Sequence, residues 1–289
     1  MKNYKLRGFV TLFIVIAAFL STLTGLKKNT FAEVEWEVLE KIALDDTPND
    51  IAISSDGRTA YILCTNNILI YSIQEKEVTD TIPIKAKFSQ IALSADGEKL
   101  FLTDRKSKQL SIIKVVSIYD IEVGQSPVIG KLDAPVSIVA FLDYQCPYCA
   151  RVYPVLGQLL EKYPKDVNLI IKHYPLRMHP FAKKASLAAL AASKQNKYPE
   201  ITKVLMSNYK NLNDKTIRKY AEEVGLDMKG FDKDCSDPSL RRIISQDMKL
   251  GAKMKVRGVP ALFINGRGVK NRSFNTLSNM IESELKKHK

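Results

Sequence analysis

The chain has 289 residues, 45% of them hydrophobic, and a formal net charge of +13 at pH 7. This apolar content excludes an intrinsically disordered chain, and the length suffices for two modest domains with separate cores. The Lys and Arg residues are scattered along predicted helices without an aromatic-interleaved cluster. We therefore interpret the positive charge as a solvated basic surface and expect no nucleic-acid partner.

Residues 1–32 form a predicted targeting segment, in which three basic side chains precede an apolar run over residues 9–26. A cleaved signal peptide would use the small-x-small site at residues 30–32. An uncleaved anchor would use residues 9–26, which are just long enough to span a bilayer. Both hypotheses export the rest of the chain, so we expect it in the periplasm or at the outer face of the cytoplasmic membrane.

Residues 33–122 are predicted to form a small all-β module of two propeller-like blades. The sequence Ile-Ala-Ile-Ser-Ser-Asp-Gly at 51–57 returns at 91–97 as Ile-Ala-Leu-Ser-Ala-Asp-Gly. Asp-Gly between apolar strands predicts a hairpin because glycine accepts a positive φ. The stretch 77–84 resembles 37–44 and would supply the outer strand of the preceding unit. Four strands about every 40 residues is the blade period of a β-propeller.

The repeated Ser-x-Asp-Gly followed by an aromatic strand resembles the YVTN type of propeller repeat. Two blades cannot close a ring, since propellers have about four to eight. The C-terminal domain, a partner protein or further copies of the chain could cover the open faces, and we favour a partner or a homo-oligomer. The simpler interpretation is a small antiparallel sheet pair without a ligand, and we assign the module no catalytic role.

Residues 123–289 are predicted to form an α/β domain. In chain order, the predicted elements are a buried strand, a helix, a second buried strand, a helical insert, a third strand and a final helix (residues 137–142, 147–163, 167–172, about 181–255, 261–264 and about 273–287). An Asn-Gly turn follows the third strand. This order is typical of an α/β fold, here with helices inserted in the middle.

Two of the four cysteines, Cys146 and Cys149, form a Cys-Pro-Tyr-Cys motif where a buried strand gives way to a helix. The thiolate is the reactive species, and a helix N-terminus favours it by directing unpaired N–H groups and the positive dipole end at Cys146. Pro147 suits the first helical position because it lacks an N–H. The spacing allows a disulfide, with Cys146 as the attacking sulfur and Cys149 as the resolving sulfur.

A zinc half-site and a structural disulfide are the alternative interpretations of this pair. Zinc would need a second pair or histidines at ligand spacing, and the candidates are His173 and His179. The proline-led helix start argues against a purely structural disulfide. We interpret Cys64 and Cys235 as buried free thiols, with pairing in an oxidising compartment as the alternative.

Three motifs, in this order, resemble those of the DsbA-like branch of the thioredoxin superfamily. They are an active-site entrance, a pair of His-containing segments after the second strand, and a Gly-Val-Pro loop (residues 143–149, 173–182 and 257–266). The resemblance covers residues 124–287, which is more than half of the chain. It implies a thioredoxin-like fold with a helical insert.

The same resemblance implies roles for individual residues. Cys146 is the implied nucleophile, Cys149 the implied resolving thiol, and Pro260 the implied cis-proline that faces the disulfide. Val259 resembles the residue in DsbA itself, whereas the isomerases usually have Thr at this position. Tyr148, between the cysteines, differs from the His of the strongest oxidases.

One position departs from the family pattern. The family often keeps a buried acid six residues before the first cysteine, where it helps to move the proton of the resolving thiol, and this chain has Ala140 there. One hypothesis is that Asp143 substitutes for this acid, and the other is that Asp143 is a plain loop cap. We interpret His173 and His179 as structural residues.

These observations predict an exported protein thiol–disulfide oxidoreductase, with oxidase as the favoured direction. No bound cofactor is expected, because the electrons reside in the cysteine pair. The predicted substrates are cysteine-containing exported proteins, and the resemblance implies a quinone-linked membrane partner of the DsbB or vitamin-K-epoxide-reductase type. The alternatives are an isomerase or reductase, and a partner-binding β module with a vestigial redox domain.

Overall fold

The computed structural model describes residues 35–287. The strands are β1 (Pro48–Ile53), β2 (Thr59–Cys64), β3 (Asn67–Ser72), β4 (Glu77–Pro83), β5 (Gln90–Leu93), β6 (Lys99–Asp104), β7 (Gln109–Lys114), β8 (Val128–Ile129), β9 (Val136–Leu142), β10 (Val167–His173), β11 (Ala261–Ile264) and β12 (Arg267–Gly268). The helices are α1 (Pro147–Lys162), α2 (Ala182–Ser193), α3 (Tyr198–Ser207), α4 (Asp214–Glu223), α5 (Met228–Ser236), α6 (Pro238–Lys253) and α7 (Phe274–Leu285).

The predicted targeting segment, residues 1–32, lies outside the described residues. Among residues 35–287, no helix is long and apolar enough to cross a membrane.

Strands β1–β7, here called the β module, form two antiparallel sheets. Strands β1–β4 pair in chain order as one sheet, and β5–β7 pair as the other. Each Asp-Gly turn joins the first two strands of its sheet, and Gly57 and Gly97 have φ values of +68° and +74°. The hydroxyl of Ser54 donates to Asp56 at 2.7 Å, and Ser94 does the same to Asp96 at 2.6 Å. The repeated sequence therefore builds the same turn twice.

The two sheets pack face to face over a shared apolar core. Tyr61, Leu63 and Ile68 from the first sheet and Leu100 and Leu102 from the second are buried in it. One polar contact joins the innermost strands, where the Ile91 N–H donates to Asp50 Oδ2 at 2.9 Å.

The β-propeller prediction is not confirmed, because the sheets of the described chain do not close into a ring. The prediction of four strands per unit is wrong for the second unit, which has three. After β7 the described part of the chain does not return to this sheet. It contacts the α/β part, where the Tyr119 N–H donates to the Gly266 carbonyl at 3.0 Å. Residues 77–84, predicted as the outer strand of the first unit, contain β4, which pairs with β3. The similar stretch 37–44 forms no strand.

The C-terminal sheet has the strand order β12-β11-β9-β10-β8. Its centre is the parallel pair β9 and β10, both almost wholly buried, and β11 runs antiparallel to β9. Asn265 and Gly266, with φ values of +43° and +77°, form the two-residue turn between β11 and β12. Positive φ at both positions is typical of a type I′ hairpin. A thioredoxin-like α/β sheet with a helical insert is confirmed.

Helices cover both faces of this sheet. Alternate residues of β9 point to opposite sides: Ile138 and Ala140 lie in the core that α1 shares, whereas Val139 and Phe141 lie in a second core with Met254. Helices α2–α6 lie within the predicted insert, about residues 181–255. Asn213 begins α4 with a capping box, and its side chain accepts from the Thr216 N–H.

The β module contacts the α/β part through both of its Asp-Gly turns. Asp56 in the first turn pairs with Arg257 at 3.5 Å and with Lys255 at 3.9 Å. Glu98, after the second turn, pairs with Lys270 at 2.9 Å. Both turns therefore lie on the side of the module that faces the α/β part.

Candidate active site

Cys146 lies where β9 ends and α1 begins. It is the N-cap residue of α1, with extended backbone (φ −77°, ψ 122°), and Pro147 follows in the first turn. This position places the sulfur at the end of the helix that carries unpaired N–H groups and a partial positive charge. Cys146 is 4% exposed, and its Sγ lies 3.6 Å from the carbonyl oxygen of Val259.

Cys149 lies one turn further along α1 and is fully buried. Its Sγ accepts a hydrogen bond from the Asp143 N–H at 3.4 Å. Burial raises the pKa of the Cys149 thiol well above its usual range, and this outweighs the opposing effect of the hydrogen bond. The two thiols of the motif are thus unequal, since Cys146 lies at the helix end and Cys149 is shielded from solvent.

The loop before β11 faces this pair. The Val259–Pro260 peptide bond is cis, and Pro260 is buried. The Val259 carbonyl is the group that contacts Cys146. On the outer side, the Tyr148 side chain is 63% exposed, and the guanidinium of Arg151 lies 5.5 Å from its ring centre. An open groove of 370 Å³ runs beside α1, lined by Pro147, Ala150, Arg151, Pro154, Met206, Ser207 and Tyr209.

Asp143 is a buried carboxylate that holds three groups. Its Oδ1 accepts from the Gln145 N–H at 2.6 Å, and its Oδ2 accepts from the Leu176 N–H at 2.7 Å. The same Oδ2 lies 2.8 Å from Nδ1 of His179. These contacts join the entrance to α1 with the segment after β10, so Asp143 has the bonding pattern of a loop cap. The hypothesis that it also moves protons stays a prediction.

Ala140, at the position of the family's acid, is fully buried in β9 and lies in the same core cluster as Cys149. A carboxyl group at this position would therefore point to the side of the sheet on which Cys149 lies. In the structure, the Cys149 sulfur accepts a hydrogen bond from the Asp143 N–H instead.

His173 is a core residue. It is fully buried, its ring stacks on Tyr144 with 5.9 Å between centroids, and its Nε2 lies 3.4 Å from the Tyr198 hydroxyl. Burial, and secondarily the charge of Lys172, lowers the pKa of His173 to about 3. His173 is thus neutral at pH 7, which agrees with its interpretation as a structural residue.

We expect His173 to make the protein less stable in acid. Its pKa falls from 6.5 to about 3 on folding, so the unfolded chain binds a proton that the folded chain excludes between these values. The stabilisation is complete above pH 6.5 and is lost as the pH falls towards 3. Between pH 7 and pH 4 this residue should cost about 3 kcal/mol of unfolding free energy.

Urea unfolding of the wild type and of His173→Gln, each at pH 7 and at pH 4, measures this cost. The variant lacks the titrating ring, so its unfolding free energy should fall by about 3 kcal/mol less than that of the wild type. An equal loss in both proteins would contradict the assignment.

Sequence reasoning missed a buried ion pair. Lys172 Nζ donates to the Val123 carbonyl at 2.7 Å and to Ser126 at 2.9 Å, and it lies 3.5 Å from Asp247 of α6. Asp247 also accepts from the His173 N–H at 2.8 Å. A lysine inside the apolar run of β10 was the available signal, because a buried ammonium needs a partner.

The other two cysteines lie apart in the chain. Cys64 is buried in β2, Cys235 is half-buried in α5, and both are free thiols. Burial raises the pKa of Cys64 and raises that of Cys235 to about 11. Among residues 35–287, no three His, Cys, Asp or Glu side chains are grouped so that they could hold a metal ion.

This sheet, with a helix that begins at a Cys-x-x-Cys motif opposite a cis-proline, defines a thioredoxin-like protein. The chain belongs to the Thioredoxin_4 family, whose model, described as thioredoxin, matches residues 122–283.

Solved structures show the same fold. A thioredoxin-like oxidoreductase from Silicibacter pomeroyi DSS-3 is 28% identical with a TM-score of 0.51, and the alignment covers 57% of this chain and 94% of that one. BdbD from Bacillus subtilis, in its oxidised form, is 20% identical with a TM-score of 0.52, over 59% of this chain and 98% of that one. The thiol-disulfide exchange protein alpha-DsbA2 from Wolbachia pipientis is 23% identical with a TM-score of 0.52, over 55% and 87%.

Curated relatives match over a shorter segment. Na(+)/H(+) antiporter NhaA 3 of Salinispora tropica is 34% identical over 139 residues, which are 48% of this chain and 21% of the antiporter. NhaA 1 of Mycolicibacterium gilvum is 32% identical over 142 residues, with 23% of its length covered. The chain thus spans about a fifth of the length of these relatives.

Proposed function

We propose that this chain is an exported protein thiol–disulfide oxidoreductase that works as an oxidase through a Cys146–Cys149 disulfide. The inequality of the two thiols carries the proposal. Cys146 lies at the helix N-terminus against the Val259 carbonyl, and Cys149 lies in the core with its pKa raised by burial. A pair with one thiol at a helix N-terminus and one shielded thiol suits a nucleophile and a resolving group.

The reaction begins with the oxidised pair. A substrate thiolate attacks Cys146 Sγ, the Cys146–Cys149 bond breaks, and Cys149 leaves and takes up a proton. The second substrate thiolate then attacks the substrate sulfur of the mixed disulfide and releases Cys146 as a thiolate. The substrate dithiol is oxidised to a disulfide, and the cysteine pair is reduced to two thiols. The helix N-terminus places unpaired N–H groups and a partial positive charge beside the sulfur that is released, an arrangement that suits a leaving group.

Supporting roles follow from position. Pro147 begins the helix without an N–H that would need a partner. The exposed Tyr148 and the Val259–Pro260 edge are the surfaces that a substrate peptide would meet. Asp143 holds the entrance loop through its bonds to residues 145, 176 and 179.

The proposed setting comes from the sequence and from the relatives. Residues 1–32 would export the chain, residues 33–122 would form one domain, and residues 123–289 the other. The related oxidoreductase from Silicibacter pomeroyi supports redox chemistry. Cysteine-containing exported proteins are the proposed substrates, and a quinone-linked thiol oxidase in the membrane would reoxidise the pair. The β module would bind a partner protein or a further copy of the chain.

Redox equilibration with glutathione tests the direction of the reaction. We expect a potential between about −120 and −230 mV for the Cys146–Cys149 couple, between the values of DsbA and the glutaredoxins. Measuring it in a Cys64→Ala, Cys235→Ala chain ensures that only the motif titrates. A value below the thioredoxin level of about −270 mV would assign the protein to the reductants instead.

A further inference from the structure

Each outer face of the β module exposes apolar side chains. On β1, Ile51 and Ile53 are 53% and 56% exposed, and on β7, Leu110 and Ile112 are 59% and 57% exposed. These two strands belong to different sheets, and their chain neighbours Ala52 and Ile113 pack in the core between the sheets, so the exposed residues point outward on opposite sides of the module.

The sequence repeat shows what the β1 face resembles. Ile51 and Ile53 correspond, 40 residues later, to Ile91 and Leu93. In the second sheet Ile91 is buried in the core between the sheets, and Leu93 packs against it. The exposed face of the first sheet therefore corresponds in sequence to the face of the second sheet that packs against the first.

The strand register gives the matching result for β7. In the second sheet, Leu110 and Ile112 of β7 pair with Thr103 and Phe101 of β6. Forty residues before Thr103 and Phe101 lie Leu63 and Tyr61 of β2. In the first sheet these residues pair with Ile68 and Ile70 of β3. Ile68 is fully buried between the sheets, and Ile70 packs against the same core. The exposed face of the second sheet therefore corresponds in strand register to the face of the first sheet that packs against the second. The module thus carries both halves of its own internal interface, exposed at Ile51 and Ile53 on one face and at Leu110 and Ile112 on the other, while Leu69 and Tyr71 on the first face are each 7% exposed.

A strand is also missing at the corresponding place. In the first sheet β4 covers the edge of β3, whereas no strand within residues 35–287 covers the free edge of β7. The stretch 37–44, Glu-Val-Leu-Glu-Lys-Ile-Ala-Leu, resembles residues 77–84 around β4, Glu-Val-Thr-Asp-Thr-Ile-Pro-Ile. It forms no strand, and its Val38 and Leu39 are 62% and 85% exposed.

We propose that a second copy of this chain docks on the β5–β7 sheet through its own β1–β4 sheet, and that its residues 37–44 pair with the free edge of β7. Chain order supports both contacts together. Within one chain, residues 77–84 pair with the first sheet and then lead into β5 of the second. In the docked copy, residues 37–44 would pair with the β5–β7 sheet of the first chain and then lead into β1 of their own chain.

This contact joins different faces of two identical chains. Such head-to-tail interfaces close into rings when the rotation allows and otherwise continue as filaments. When one copy docks on another, two exposed apolar faces are buried against each other and one open strand edge becomes paired. Both changes favour association.

The test is the mass of the full chain in a density-matched detergent, measured by analytical ultracentrifugation at micromolar concentrations. We expect the wild type to have the mass of two or more chains. Ile53→Lys, on the first face, and Ile112→Lys, on the second, should each reduce the mass to that of one chain, since each puts a charge into the buried contact. The control Leu132→Lys places the same charge at a 73% exposed apolar site outside the module and should keep the wild-type mass.

Mixing the two variants separates this proposal from other modes of association. Each variant keeps one intact face, so differently tagged Ile53→Lys and Ile112→Lys chains should co-purify as a pair, although neither associates alone. A wild type of one-chain mass would overturn the proposal. So would association that survives both substitutions, or two defective variants that fail to pair when mixed.

Discussion

Replacing Cys146 with alanine is expected to reduce thiol–disulfide exchange by at least about three orders of magnitude, because no other described sulfur combines a helix N-terminus with a place opposite the Val259 carbonyl. The measurement is oxidation of a reduced peptide with two cysteines by the stoichiometrically oxidised protein. Cys64→Ala and Cys235→Ala are the matched controls and should react like the wild type. A comparable loss in either control would contradict the assignment.

The partner variant should fail at a different step. In Cys149→Ala, the Cys146 thiolate still attacks a disulfide of an oxidised substrate, forms a mixed disulfide and releases the other substrate sulfur as a thiolate, but no second thiol of the motif can resolve the mixed disulfide. We expect a covalent complex that accumulates with substrate proteins, is visible by non-reducing electrophoresis, and disappears with dithiothreitol. Equal trapping by Cys146→Ala would show that the roles are reversed. The trapped proteins would also identify the natural substrates.

The second large effect is on stability. Asp143→Ala should lower the unfolding free energy by about 3 kcal/mol, since it leaves the half-buried N–H groups of Gln145 and Leu176 without their acceptor and removes the partner of His179. Urea unfolding at pH 7 measures this loss. His179→Gln removes one of the three contacts and should cost about 1 kcal/mol. A loss below that of His179→Gln would contradict the role of Asp143 as a loop cap.

Resolution kinetics distinguish the cap from a proton carrier. If Asp143 acts only as a cap, Asp143→Asn loses stability but resolves a mixed disulfide at the wild-type rate. Ala140→Glu restores an acid on the Cys149 side of the sheet and is expected to change that rate, because the Cys149 thiol exchanges its proton in this step. Slower resolution in Asp143→Asn would favour the proton-carrier hypothesis.

The sequence predicted the elements that have a strong local signal. The buried strands β9 and β10 and the proline-led helix α1 agree with the prediction to within a residue or two. Asn213 and Asp237 are typical N-cap residues, and each accepts hydrogen bonds from N–H groups of the helix that it begins. Strands β8 and β12 were not predicted, because two residues carry no periodicity.

Features that depend on distant contacts were harder to predict. The Cys-Pro-Tyr-Cys motif is local, and it identified the candidate pair. The bonds of Asp143 to residues 176 and 179, and the pair Lys172–Asp247, join residues more than 30 positions apart. Residues 37–44 resemble the outer strand β4, but in the order of the repeat they would pair with a sheet that precedes β1–β4, and the described chain has no such sheet.

The position of the Asp-Gly turns has a consequence for how substrates would meet this protein. Both turns, at Asp56 and Glu98, contact the α/β part, so every α/β part would lie on the same side of a ring of docked copies. Several α/β parts, each with its own Cys146–Cys149 pair, would then lie beside one another. A substrate held there by one mixed disulfide would meet the neighbouring pairs at an effective concentration in the millimolar range, about that of short flexible tethers. Proteins with several cysteines would gain most from this arrangement.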